Sequence, residues 1–175
     1  PYTSSAASDV YKRQAEKMCK DEYDLVYPFG FGTQENQVKW QKKVFASDEL
    51  VSDFLNQNFD FSIFENHSQK DRAQWGHAQF FKRTSYIEGG MENENFKAWG
   101  PEDEEKHYRF PKLGYNIGRV IDWVYHLEHS RGDDSERTNI YFHDNLKLME
   151  DIRSLSEEEL KNYYNTQEYL KKYND

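Results

Sequence analysis

The chain has 175 residues, room for one modest domain, and its net charge of −9 argues against a nucleic-acid partner, because phosphate backbones select a basic face. Mean hydropathy is −1.11, yet 17% of the residues are aromatic, too many for a disordered chain and enough to build a core. The single cysteine, Cys19, rules out an internal disulfide and fits a reducing compartment, and no apolar run approaches the roughly 20 residues of a membrane span.

Pro1 to Gln14 has neither helical nor strand periodicity and reads as a non-native leader, so it is set aside from the fold. Ala15 to Tyr23 suits a short helix, and Asp24-Leu25-Val26-Tyr27-Pro28 an apolar strand closed by proline. Phe29 to Lys39 reads as a loop. Ser47 is a predicted N-cap for a helix that turns Leu50, Val51, Phe54 and Leu55 inward. Phe59 to Phe64 alternates as a strand would, and Gln74 to Arg83 reads as a glycine turn at Gly76 entering a strand. Thr84 to Glu88 predicts one helical turn with Gly89 at its C′ position.

The richest stretch follows. From Gly89 it runs Gly-Gly-Met-Glu-Asn-Glu-Asn-Phe-Lys-Ala-Trp-Gly-Pro-Glu-Asp-Glu-Glu. Pro101 and the carboxylates of Glu102, Asp103, Glu104 and Glu105 predict a helix start, where anions meet unpaired N–H groups and the positive end of the dipole. Gly89, Gly90 and Gly100 let backbone approach a ligand, and Trp99 offers a flat face of the kind that stacks on sugar rings. The plainer reading of the same residues is a glycine turn, a core tryptophan and an ordinary helix N-terminus.

Pro111 is expected to halt or kink that helix, and Gly114 marks the turn after it. Tyr115 to Val120 alternates as a strand, and Asp122 to His129 carries two imidazoles in His126-Leu-Glu-His129-Ser-Arg. On a strand these two rings would face opposite ways, so His-x-x-His alone is a weak metal signal. His77 is a second-rank candidate for a substrate contact. Asn145 to Asp151 is helical in composition, and Ser156-Glu-Glu-Glu159 is a capping box opening a helix with Leu160, Tyr163, Tyr164 and Leu170. This tail reads as a helical appendage that covers a domain edge or contacts a partner, or, as the plainer reading favours, simply packs against the domain.

Taken together, Gly-Gly, the Trp-Gly-x-Glu-Asp element and a histidine some 25 residues later resemble the carboxyl-terminal half of the galactosyltransferase and N-acetylgalactosaminyltransferase group of GT-A glycosyltransferases. The resemblance covers roughly Asp24 to Gly132 and is strongest from Gln74 onward. It implies a truncated α/β GT-A fold, with residues 15–135 as the carboxyl-terminal part of the transferase domain and 136–175 as a helical tail. It implies an enzyme of polysaccharide biosynthesis, cytoplasmic or peripheral to a membrane, that moves a hexose from a nucleotide sugar such as a UDP-sugar to a carbohydrate acceptor.

Residue by residue, the resemblance makes Asp103 the base on the acceptor hydroxyl and Glu102 its acceptor-binding neighbour. Trp99 shapes the sugar site, and Gly76, Gly89, Gly90 and Gly100 lie close to substrate. His129 becomes a ligand of a divalent metal, manganese by expectation, while His126 matches a second ligand by position only. No Asp-x-Asp occurs in the sequence, so the donor-binding half is expected upstream, and these 175 residues alone are expected to bind nucleotide sugar poorly. Two other readings compete: a non-catalytic carbohydrate-binding relative of the same fold, and a protein-interaction module.

Overall fold

The computed structural model describes residues 16, 17, 20, 23–30, 40–57, 60–72, 74–76, 78–120 and 122–171. The leader at 1–14, Cys19 and His77 therefore lie outside the described residues, as does most of the helix expected over 15–23, of which Glu16, Lys17 and Lys20 are helical. Among the described residues the fold is α/β, built from two three-stranded sheets and a set of mostly short helices. Among the described residues no helix is long and apolar enough to cross a membrane. Two compact units emerge, one drawn from Pro1–Phe80 and Gly118–His129, the other from Phe81–Ile117 and Ser130–Asp175.

Strand β1 (Leu25–Tyr27), in the first unit, is buried throughout and forms the middle of a sheet ordered β4-β1-β5, with β4 at Phe80–Phe81 and β5 at Ile117–Arg119. Leu25, Val26, Tyr27 and Phe29 make a core around it. Arg119 is buried among them, donating to the carbonyls of Phe29 (3.1 Å) and Gln74 (2.6 Å) while its guanidinium lies 4.2 Å from the Tyr27 ring centroid. Burial lowers its pKa to about 10.

The second sheet is ordered β3-β2-β6. Its middle strand β2 (Trp40–Val44) pairs antiparallel with β3 (Ser68–Arg72) and parallel with β6 (Tyr125–Leu127). Side chains alternate across it, so Lys42, Lys70 and Tyr125 share one face and Lys43, Gln69 and His126 the other. On the first face Lys42 pairs with Glu65 at 2.5 Å, and Phe61 stacks on Tyr125 at 5.1 Å.

Helix α1 (Asp48–Asn56) starts where expected, with Ser47 Oγ accepting from the Leu50 N–H at 3.2 Å and Asp48 and Glu49 in the first turn. Leu50, Val51 and Phe54 are half-buried, but Leu55 is 54% exposed, so the apolar stripe is narrower than its spacing suggested. The strand expected over Phe59–Phe64 is instead a 3-10 helix at Phe61–His67. Asp60 caps it by accepting from the Ser62 N–H, and a spacing of three carries Phe61 and Phe64 together onto Phe54 at 5.1 and 4.6 Å. Alternation in the sequence concealed that shared side.

The second unit opens with α2 (Arg83–Glu88), capped by Gly89. The left-handed conformation expected at Gly89 belongs to its neighbour: Gly89 has φ −76° and Gly90 has φ +93°. A Cβ on Gly90 would lie 2.4 Å from the Tyr164 ring, so glycine is required there by both backbone and space. Helix α3 (Glu102–Lys112) begins after Pro101 and runs through Pro111 for one further residue, the Leu113 N–H closing the last turn on the Arg109 carbonyl at 3.0 Å. Proline is tolerated there because only one bond of the final turn is lost.

Helices α4 (Phe142–Ser154), α5 (Glu157–Asn165) and α6 (Glu168–Lys171) complete the unit. The capping box at α5 forms as predicted, Glu159 N–H donating to Ser156 Oγ at 3.2 Å and Ser156 N–H to Glu159 Oε2 at 2.7 Å. Ile152, Leu160, Tyr164 and Leu170 form the core, with Met91, Phe96 and Leu113 packed against it. The tail is thus built into the same core as the glycine-rich stretch.

Candidate functional site

Helix α3 positions the central carboxylates. Asp103 sits in its first turn, its side chain 37% exposed, with Oδ1 held at 3.0 Å by the ammonium of Lys106 one turn on. Lys106 is buried and also holds both Glu92 oxygens, at 2.8 and 2.6 Å. Asp103 is therefore fixed from below by a lysine anchored to the loop before Trp99. Neither Lys106 nor Glu92 was singled out in the sequence; the i, i+3 spacing from Asp103 was the available signal.

Glu102 folds back over the turn before the helix, Oε2 accepting from the Gly100 N–H at 2.9 Å. Burial pushes its carboxyl up from the ordinary glutamate range, against the pull of backbone donors, and the charge of Asp103 adds to the rise. The folded state holds this proton more tightly than the unfolded chain, so stability falls as pH climbs past the ordinary glutamate value. Glu102→Gln keeps the accepting oxygen without the titration, so its urea midpoint should gain on wild type as pH rises from that value and level off above the folded one. A midpoint difference that is flat with pH, or that grows toward acid, would contradict this.

Trp99 is half-buried. Its ring stacks on Phe142 at 5.7 Å with planes 11° apart, its backbone N–H donates to the Asp134 carbonyl at 2.9 Å, and its own carbonyl accepts from Asn139 Nδ2 at 2.9 Å. Gly100 lies against Asn145, where a Cβ would come within 2.7 Å of the amide nitrogen. Gly89 and Gly90 are buried, the Gly89 carbonyl accepting from Arg109 Nη1 at 2.6 Å. Trp99, Gly100, Glu102 and Asp103 are brought together in this unit; Gly89 and Gly90 are tied to it through α3.

The other predicted residues belong to the first unit. Gly76 sits in a turn, its carbonyl accepting from the Ala78 N–H at 3.1 Å. His126 lies in β6, and the chain leaves the strand after Leu127, so His129 swings round beside it with ring centroids 5.7 Å apart. The opposite-face expectation fails because the strand ends between them. Glu128 stands 3.7 Å from His126 Nε2 and 3.3 Å from Lys43, which also pairs with Asp71 at 3.0 Å.

Two imidazoles beside a carboxylate suit a borderline divalent ion such as manganese. Glu128 is committed to Lys43, so the imidazoles are the part of the set that fits. Among the described residues no group of three His, Cys, Asp or Glu side chains is arranged as a metal cage. Compared with protein-family models, curated proteins and solved structures, the chain matches none.

Proposed function

We infer that the chain is the acceptor-side part of a GT-A glycosyltransferase that moves a galactose- or N-acetylhexosamine-type sugar from a nucleotide sugar to an acceptor hydroxyl with inversion. One observation carries the reading: Asp103 is half-exposed on the first turn of α3, anchored through Oδ1, with Trp99 and Glu102 gathered beside it by Gly100.

In this reading the acceptor sugar lies on the Trp99 lip with a hydroxyl bonded to Glu102. Asp103 Oδ2, which has no partner among the described residues, faces the reacting hydroxyl. As the acceptor oxygen bonds to the anomeric carbon, the bond from that carbon to the diphosphate oxygen breaks. The hydroxyl proton passes to Asp103 and the electron pair leaves with the nucleoside diphosphate. A single base suffices for one displacement. Hydrolysis through opposed carboxyl groups is less well served, because Glu102 is turned back onto Gly100.

The resemblance would make His129 and His126 ligands of a divalent ion, and charge neutralisation at a diphosphate is the chemistry such an ion would supply. Calorimetric titration of the full-length protein with a UDP-sugar, with and without manganese, separates this enzyme from a metal-independent sugar-binding relative and from an interaction module that binds no sugar.

A further inference from the structure

The turn that carries Trp99 is held in a conformation it would not keep alone. Ala98, between Lys97 and Trp99, has φ +55°, a left-handed conformation costly for a residue with a Cβ. Something must therefore fix both sides of it.

Asn145 does so from α4. It is 2% exposed, and its amide grips Lys97 at two points: Oδ1 accepts from the Lys97 N–H at 3.1 Å and Nδ2 donates to the Lys97 carbonyl at 2.7 Å. The same Nδ2 reaches the Trp99 carbonyl at 3.4 Å, where Asn139 Nδ2 also donates at 2.9 Å. Phe142, one turn before Asn145, supplies the ring on which Trp99 lies. Beyond the turn, the Gly100 N–H passes the restraint on to Glu102. Thus three side chains of 139–145, in the tail beyond the transferase resemblance, determine where the ring and carboxylate of the candidate site stand.

We propose that Asn145 is a positioning residue for acceptor recognition: by clamping Lys97 and Trp99 around the strained Ala98 it presents Trp99 and Glu102 to the incoming sugar. The proposal rests on the acceptor-site reading above. Its two-point grip has no equivalent in a side chain that can only donate or only accept. Asn145→Ala loses both bonds, and Asn145→Asp loses the donor while keeping the acceptor.

The test is steady-state transfer by the full-length protein, from UDP-sugar to a saccharide acceptor, varying each substrate separately. Asn145→Ala should raise the acceptor KM on the order of tenfold or more, with Asn145→Asp in between and the KM for UDP-sugar unchanged, since a displacement of about 1 Å in a positioning element is enough for such a loss. Asn139→Ala, which removes a less buried bond to the same carbonyl, should shift the acceptor KM in the same direction by less and serves if Asn145→Ala fails to fold. Transfer by wild type with an unchanged acceptor KM in the folded variants would overturn the proposal and leave the transferase reading intact. Losses falling equally on donor and acceptor would also overturn it, as the mark of a merely structural role. Absence of transfer by wild type would sink the transferase reading itself, and this proposal with it.

Discussion

If the proposed transferase reading holds, Asp103→Asn should fold as wild type does and lose most sugar transfer, with turnover of the full-length protein falling by about 10²- to 10⁴-fold, the range supplied by a positioned proton acceptor. Asparagine keeps the oxygen that accepts from Lys106, so the anchor at 3.0 Å survives, as does the bidentate Lys106–Glu92 pair behind it. What disappears is the negative charge able to receive the hydroxyl proton. Acceptor KM should change little, because Trp99 and Glu102 are left in place. Turnover equal to wild type in a folded Asp103→Asn variant would refute the base assignment.

The second large effect is on stability. Arg109 and Glu105 are both fully buried, one turn apart on α3, with Nε 3.1 Å from Oε1. Arg109 also donates to the Gly89 carbonyl at 2.6 Å and the Met91 carbonyl at 2.7 Å, and lies 4.1 Å from the Tyr164 ring centroid. Tyr164 in turn donates its hydroxyl to Glu105 at 2.7 Å and accepts from Asn93 at 3.0 Å. Burial pushes the Glu105 carboxyl up, and the Arg109 charge is the main pull against that rise.

Removing the arginine leaves a buried acid without its counter-charge and strips two carbonyls of their donor. Arg109→Ala should therefore cost about 3–5 kcal/mol in a urea unfolding experiment. Because the guanidinium joins the Gly89–Met91 turn to α5 through Tyr164, the damage should spread to both. A loss under about 1 kcal/mol would mean that the network does not hold the unit together.

Local chemistry was the legible part of this fold. Ser47, Asp60 and Ser156 each cap a helix through a bond spanning two or three residues, and in two of the three cases the sequence announced the helix correctly. Asp60 was overlooked because the neighbouring phenylalanines also alternate like a strand, and only the rings of Phe54 and Tyr125 decide between the two patterns. The strands Trp40–Val44 and Ser68–Arg72 leave no signal in the sequence. Their sequences, Trp-Gln-Lys-Lys-Val and Ser-Gln-Lys-Asp-Arg, are too polar to signal a sheet, and cross-strand pairing settles them.

In the candidate site, the acid run at Glu102–Glu105 and the Trp99–Gly100 turn were visible as a pattern, but the division of labour within the run was not. Four adjacent carboxylates look like one solvated helix start. The structure buries Glu105 against Arg109, half-buries Glu102 over Gly100, anchors Asp103 to Lys106 and pairs Glu104 with Arg153. Asn139, Phe142 and Asn145 gave no signal, because an amide gripping a distant backbone follows no sequence rule. That the tail packs agrees with the plainer reading of it, but its partners Met91 and Phe96 were not legible, because contacts some 70 residues apart leave no periodicity in either partner.

The most direct measurement is calorimetric titration of the full-length protein with a UDP-sugar, first in manganese and then after chelation. Saturable binding that requires the metal, and that is weak or absent in the 175-residue chain alone, is the predicted result. Binding of sugar indifferent to chelation, or no binding of the nucleotide sugar under either condition, would contradict the account.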